Sequence, residues 1–63
     1  MNLRFEKLGP QHYRVHASNR ISGERVIGTV QQTGAKWEGF CREGRLIGSS
    51  DTREAIAKSL VIH

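Results

Sequence analysis

The chain has 63 residues and a formal net charge of +4 at pH 7, and 37% of its residues are hydrophobic. This is room for one globular domain, residues 1–63, which at such a size buries only about 60% of the surface its unfolded chain exposes. A single cysteine, no apolar run of membrane-spanning length and an N-terminus without the apolar core of a signal peptide exclude a disulfide-stapled or membrane-spanning domain and make a reducing cytoplasm the expected location.

Gly, Pro and Asn divide the chain into short segments of strand length. Residues 3–8 form the first, closed by the turn Gly9-Pro10-Gln11. Residues 12–17 form the second, with Tyr13, Val15 and Ala17 on one face and His12, Arg14 and His16 on the other. Residues 18–23 read as a longer loop. The third strand spans residues 25–32 and ends at Thr33-Gly34, a hairpin turn. In the fourth, residues 35–42, Trp37, Gly39 and Cys41 share one face and Lys36, Glu38, Phe40 and Arg42 the other. Phe40 breaks the polar pattern of its face, and either packs at a sheet edge or stands exposed. A turn at Glu43-Gly44 leads to a fifth strand, residues 45–49.

The chain closes with a helix. Asp51 is the expected N-cap, with Glu54 completing a capping box and Ser50 as a competing cap. Ala55, Ile56, Ser59 and Leu60 form the expected apolar stripe, with Arg53, Ala57 and Lys58 off it. Lys58 and His63 would place positive charge near the C-terminal end, where the helix dipole favours it. The expected fold is therefore α+β, a four- or five-stranded antiparallel meander with one C-terminal helix packed on one face. One Trp, one Tyr and two Phe leave that core lean. Dimerisation could supply further burial.

Arg25-Val26-Ile27-Gly28-Thr29 returns twenty residues later as Arg45-Leu46-Ile47-Gly48-Ser49. Either two related hairpins or two strands with the same local needs would produce this echo.

The catalytic inventory is thin, and the chain reads as a non-enzyme. Cys41 with His12 or His16 could make a thiol–imidazole pair, but no orienting Asp or Asn stands nearby in sequence. His12 and His16 fall on one strand face about 13 Å apart at ~3.3 Å per residue, too far to share a metal. The glycines match no phosphate-loop motif. No cofactor and no metal are expected.

The remaining chemistry is positive charge, and seven of the ten basic residues are Arg, the side chain suited to bidentate phosphate or carboxylate contacts. Arg14 lies with His12 and His16, Lys36, Arg42 and Arg45 lie about the last hairpin, and Arg20 and Arg25 flank the loop. A small twisted sheet can enter the major groove of DNA with alternate side chains at base edges and phosphates. The candidate nucleic-acid-binding residues are therefore Arg14, Arg25, Lys36, Arg42 and Arg45, with Glu38 and Glu43 diluting the patch. A solvated basic surface is the simpler account of the same charge.

From Tyr13 to Leu60 the order of elements resembles the arm-type DNA-binding domain of phage and transposon integrases, which is related in fold to plant AP2 domains. The resemblance rests on Trp37 in the middle strand, the turn at Glu43-Gly44, the strand from Arg45 to Gly48 and Thr52-Arg53-Glu54-Ala55 opening the helix. It implies a three-stranded sheet packed on a C-terminal helix, with Lys36, Glu38, Arg42 and Arg45 on the face that reads the major groove. The chain departs from that pattern in its additional N-terminal strand, in Glu38 and in a sparser set of Lys and Arg. The expected function is that of a small non-enzymatic accessory protein binding duplex DNA through a basic sheet face. The alternative is a protein-interaction or inhibitor module of phage, plasmid or bacterial origin, homodimeric or not, with no nucleic-acid role.

Overall fold

The computed structural model describes residues 2–21 and 23–62. Five strands, β1 (Asn2–Gly9), β2 (His12–Asn19), β3 (Gly23–Thr33), β4 (Lys36–Cys41) and β5 (Leu46–Ser50), precede one helix, α1 (Arg53–Ile62). The strands pair in chain order, every pair antiparallel, so the sheet is the meander that the spacing of turn residues predicts. The hairpin turns at Gly34 and Gly44 carry φ of 64° and 85°, values that suit Gly. The expected loop over residues 18–23 is shorter than that. β2 runs on to Asn19, which pairs with Gly23, and the Asn19 side chain accepts a hydrogen bond from the Ile21 amide at 2.9 Å. No helix among the described residues is long and apolar enough to cross a membrane.

Helix α1 packs over β3, β4 and β5. Val15, Val30, Ile56, Ala57 and Leu60 form the buried core, with Leu3, Phe5, Tyr13, Ile27, Trp37 and Ile47 packed around it. The helix approaches closely because the strands below it carry glycines. A Cβ on Gly39 would stand 2.5 Å from Ile56 Cγ1, and one on Gly28 would stand 3.2 Å from a Leu60 methyl and 2.2 Å from the Phe40 carbonyl oxygen. Gly39 pairs with Gly48 across β4 and β5, so Ile56 descends into a trough two glycines wide. Burying a side chain such as Ile56 or Leu60 contributes roughly 1.5–3 kcal/mol.

The echoed pentapeptide has a structural meaning. In the pairing of β2 with β3, Val15 faces Gly28 and His16 faces Val26, so Ile27 is the extra residue of a β-bulge. In the pairing of β4 with β5, Gly39 faces Gly48 and Phe40 faces Leu46, so Ile47 is the extra residue of a second bulge. Each copy of the motif therefore places a bulged Ile immediately before a Gly that lies on the helix side of the sheet, and both Ile side chains pack against the core.

The helix start differs from expectation. Thr52 is the N-cap, its Oγ1 accepting from the Ala55 amide at 3.2 Å and its carbonyl from the Ile56 amide at 3.3 Å. Asp51 is occupied elsewhere, accepting from Lys36 Nζ at 2.5 Å, so neither it nor Ser50 caps the helix and no box with Glu54 forms. The buried stripe moves with the cap. Ile56, Ala57 and Leu60 face the sheet and Ala55 is exposed. With Arg53 these positions follow i, i+3, i+4 and i+7, and Arg53 leads the inner face. Its guanidinium lies 4.7 Å from the ring centroids of both Phe5 and Tyr13. Lys58 is exposed short of the last turn, which carries no basic residue, and His63 lies outside the described residues.

Candidate nucleic-acid interface

The face of the sheet away from α1 is polar, and it is internally paired. The register of β1 with β2 sets Arg4 opposite His16 and Glu6 opposite Arg14, while Glu24 reaches in from the start of β3. Arg4 grips Glu24 through two hydrogen bonds of 2.9 Å. His16 Nε2 donates to Glu6 at 2.9 Å, its Nδ1 lies 3.7 Å from Glu24, and Arg14 reaches Glu6 at 3.3 Å. The result is an unbroken row, Arg4–Glu24–His16–Glu6–Arg14, with the imidazole only 11% exposed between its two carboxylates. The His16 hydrogen bond, helped by Arg14, holds the Glu6 carboxyl below the usual carboxylate range. Arg4 does the same to Glu24. Within this face Arg14 is thus a cation with its counter-charge already in place.

The other candidates fall in different places. Lys36 opens β4 at the end of the sheet where α1 begins, and its ammonium is held by Asp51, whose carboxyl it lowers. Glu38, on the same face, accepts from the Thr33 hydroxyl at 3.0 Å. Phe40 is half-buried on that face opposite Leu46, which is 54% exposed.

Arg25, Arg42 and Arg45 all lie toward the opposite end of the sheet. That end gathers the β2–β3 connection, the start of β3, the β4–β5 turn and the last turn of α1. Arg45 pairs with Glu43 at 3.3 Å. Arg25 and Arg42 line one open hollow of about 200 Å³ with Val26, Ile27, Leu60 and Val61. Neither forms an ion pair among the described residues. Arg20, in the β2–β3 connection, adds a further cation to the same end. The five candidates therefore do not share a face. Three share an end, and two of those three have no ion-pair partner among the described residues.

Sequence reasoning missed the carboxylates that neutralise the sheet face, because Glu24 lies twenty residues from Arg4 and only the register joins them. It also placed Arg53 off the packing stripe, although the spacing 53, 56, 57, 60 was there to find it.

The sheet separates Cys41 from both histidines of β2. Cys41 faces Gly28 in the helix-side rows, whereas His12 and His16 project to the other face, so the thiol–imidazole pair is not assembled. No group of three or more His, Cys, Asp and Glu among the described residues is placed to hold a metal ion. Compared with known proteins, the chain matches no family model, no curated protein and no solved structure.

Proposed function

We propose that this protein is a small non-enzymatic accessory module that binds duplex nucleic acid through the phosphate backbone, using the arginine-rich end of its sheet. The observation that carries this reading is the convergence of Arg25 and Arg42 on one hollow, without carboxylate partners among the described residues. An arginine that is not already paired can neutralise a phosphate without first breaking a contact. Arg45 and Arg20 lie toward the same end of the sheet. Arg14 and Lys36, held by Glu6 and Asp51, contribute less. The resemblance to arm-type domains supports the same class of partner, with β3, β4, β5 and α1 supplying its three strands and helix.

Arg25 and Arg42 also stand beside the C-terminal end of α1, where positive charge offsets the helix dipole. The two roles separate by experiment. Anisotropy titration of a labelled duplex between about 50 and 200 mM salt should show affinity falling steeply, with a slope near −0.9 per phosphate neutralised. Arg25→Ala and Arg42→Ala should each reduce the slope by about one. Arg14→Ala and Lys36→Ala should change it little. A loss of thermal stability without any change in binding would assign the two arginines to the helix alone. No binding at low salt would remove the reading and favour a protein partner instead.

A further inference from the structure

We propose that β1 is a self-complementary edge through which two copies of this chain pair, antiparallel about a two-fold axis at Phe5. Strand β1 is one of the two edges of the sheet, and its eight residues exceed the five of β5 at the other edge. The free side of such a strand presents unpaired amides and carbonyls to solvent and is a template for a further strand. β1 contains no proline, and its pairing with β2 is regular from Asn2 to Lys7, the irregularity coming only after that.

The order of its side chains selects one partner and one register. Leu3, Phe5 and Lys7 stand on the helix side, opposite Ala17, Val15 and Tyr13, and Arg4 and Glu6 stand on the other face, opposite His16 and Arg14. In an antiparallel pair of identical strands centred on Phe5, Arg4 faces Glu6 of the partner subunit and Glu6 faces the partner's Arg4. Two opposite charges then meet at directly paired positions, the arrangement that stabilises neighbouring strands. Phe5 meets the partner's Phe5, and Leu3 meets the alkyl stem of the partner's Lys7. Centring the pair on Arg4 or on Glu6 instead would oppose identical charges. Centring it between residues would set Phe5 against a charged side chain on the wrong face. The favoured register pairs residues 2–8, as long a stretch of the strand as any register centred on a residue allows.

Two further features fit a second copy. The row Arg4–Glu24–His16–Glu6–Arg14 would continue across the axis through Arg4 and the partner's Glu6, an arginine again meeting a carboxylate. An apolar hollow of about 370 Å³ lies beside β1, between Leu3 and the helix residues Lys58, Val61 and Ile62. Lys7 of the partner subunit would lie along Leu3 at its border. This interface is independent of the arginine-rich end and of the nucleic-acid reading.

Sedimentation equilibrium between about 10 μM and 1 mM, which covers dissociation constants of that order, tests the proposal. The wild-type mass should rise from 7.1 kDa towards twice that value. Arg4→Glu and Glu6→Arg, each alone, would oppose like charges and should stay monomeric, with far-UV circular dichroism confirming that each is folded. Mixing the two variants restores opposite charges at both positions, so the equimolar mixture should regain the dimer mass. In wild-type protein mixed from labelled and unlabelled chains, isotope-filtered NMR should show a contact between Phe5 rings. A wild type that stays monomeric, single variants that still dimerise, a mixture that does not, or a missing Phe5 contact would each overturn it.

Discussion

Gly39 and Ile56 fit together with no room to spare, since a Cβ on the glycine would come within 2.5 Å of the isoleucine Cγ1. Gly39→Ala should therefore destabilise the fold by about 1–3 kcal/mol, the usual cost of overpacking. Gly28→Ala should cost more, because its Cβ would meet the backbone oxygen of Phe40 at 2.2 Å, an atom that no rotamer change can move. Gly48→Ala, with only an Ile56 methyl at 4.0 Å, should be tolerated. Urea midpoints rank the three. An equal loss for Gly28→Ala and Gly48→Ala would mean that the two echoed bulges carry the same packing, contrary to this geometry.

Arg53 is expected to act as a packing residue. Its guanidinium stacks on Phe5 and Tyr13, and these rings themselves meet edge to face with centroids 6.4 Å apart. Arg53→Ala should lower stability by about 1–2 kcal/mol through lost cation–π contact and lost burial of the side-chain stem. Arg53→Met, which keeps the stem without the charge, should recover part of it. Thermal melts of the three proteins compare them directly, and an Arg53→Ala protein as stable as wild type would show that the stack contributes nothing.

The cap makes a sharper distinction. Thr52→Ala should cost about 1 kcal/mol, the usual loss for an N-cap hydroxyl. Asp51→Ala should cost less, because Asp51 holds only the exposed Lys36. The reverse ranking in chemical denaturation would return the cap to Asp51.

Acid should weaken the fold through the paired carboxyls of the sheet. Glu6 and Glu24 are held below their ordinary value of 4.5 by His16 and Arg4. A carboxyl with a depressed folded pKa stabilises the protein above its unfolded value and loses that contribution as the pH falls through its folded value. The urea midpoint should therefore be insensitive to these groups near neutrality and fall as the pH drops below 4.5. In the double variant Glu6→Gln/Glu24→Gln that fall should be shallower. If wild type and variant show the same profile, the pairs contribute nothing to acid sensitivity.

Much of the architecture was legible in the sequence. The turns at Pro10, Gly34 and Gly44, the two-residue alternation of Tyr13, Val15 and Ala17, and the helical segment near the C-terminus all come from local preference. Even the doubled bulge was visible as the repeated Ile-Gly, though its meaning was not, because a bulge is a property of two strands. The candidate site was less legible. Arg14, Arg25, Lys36, Arg42 and Arg45 are all basic in the sequence, and nothing local says which already has a partner.

The sequence by itself determined the order and kind of elements, since φ/ψ preference and hydrophobic period act over a few residues. Only the tertiary structure decided which hydroxyl caps the helix and which cations remain without a counter-charge among the described residues. Those outcomes depend on register. It sets Glu24 against Arg4 across twenty residues, draws Lys36 to Asp51 across fifteen, and leaves Arg25 and Arg42 together at one end of the sheet.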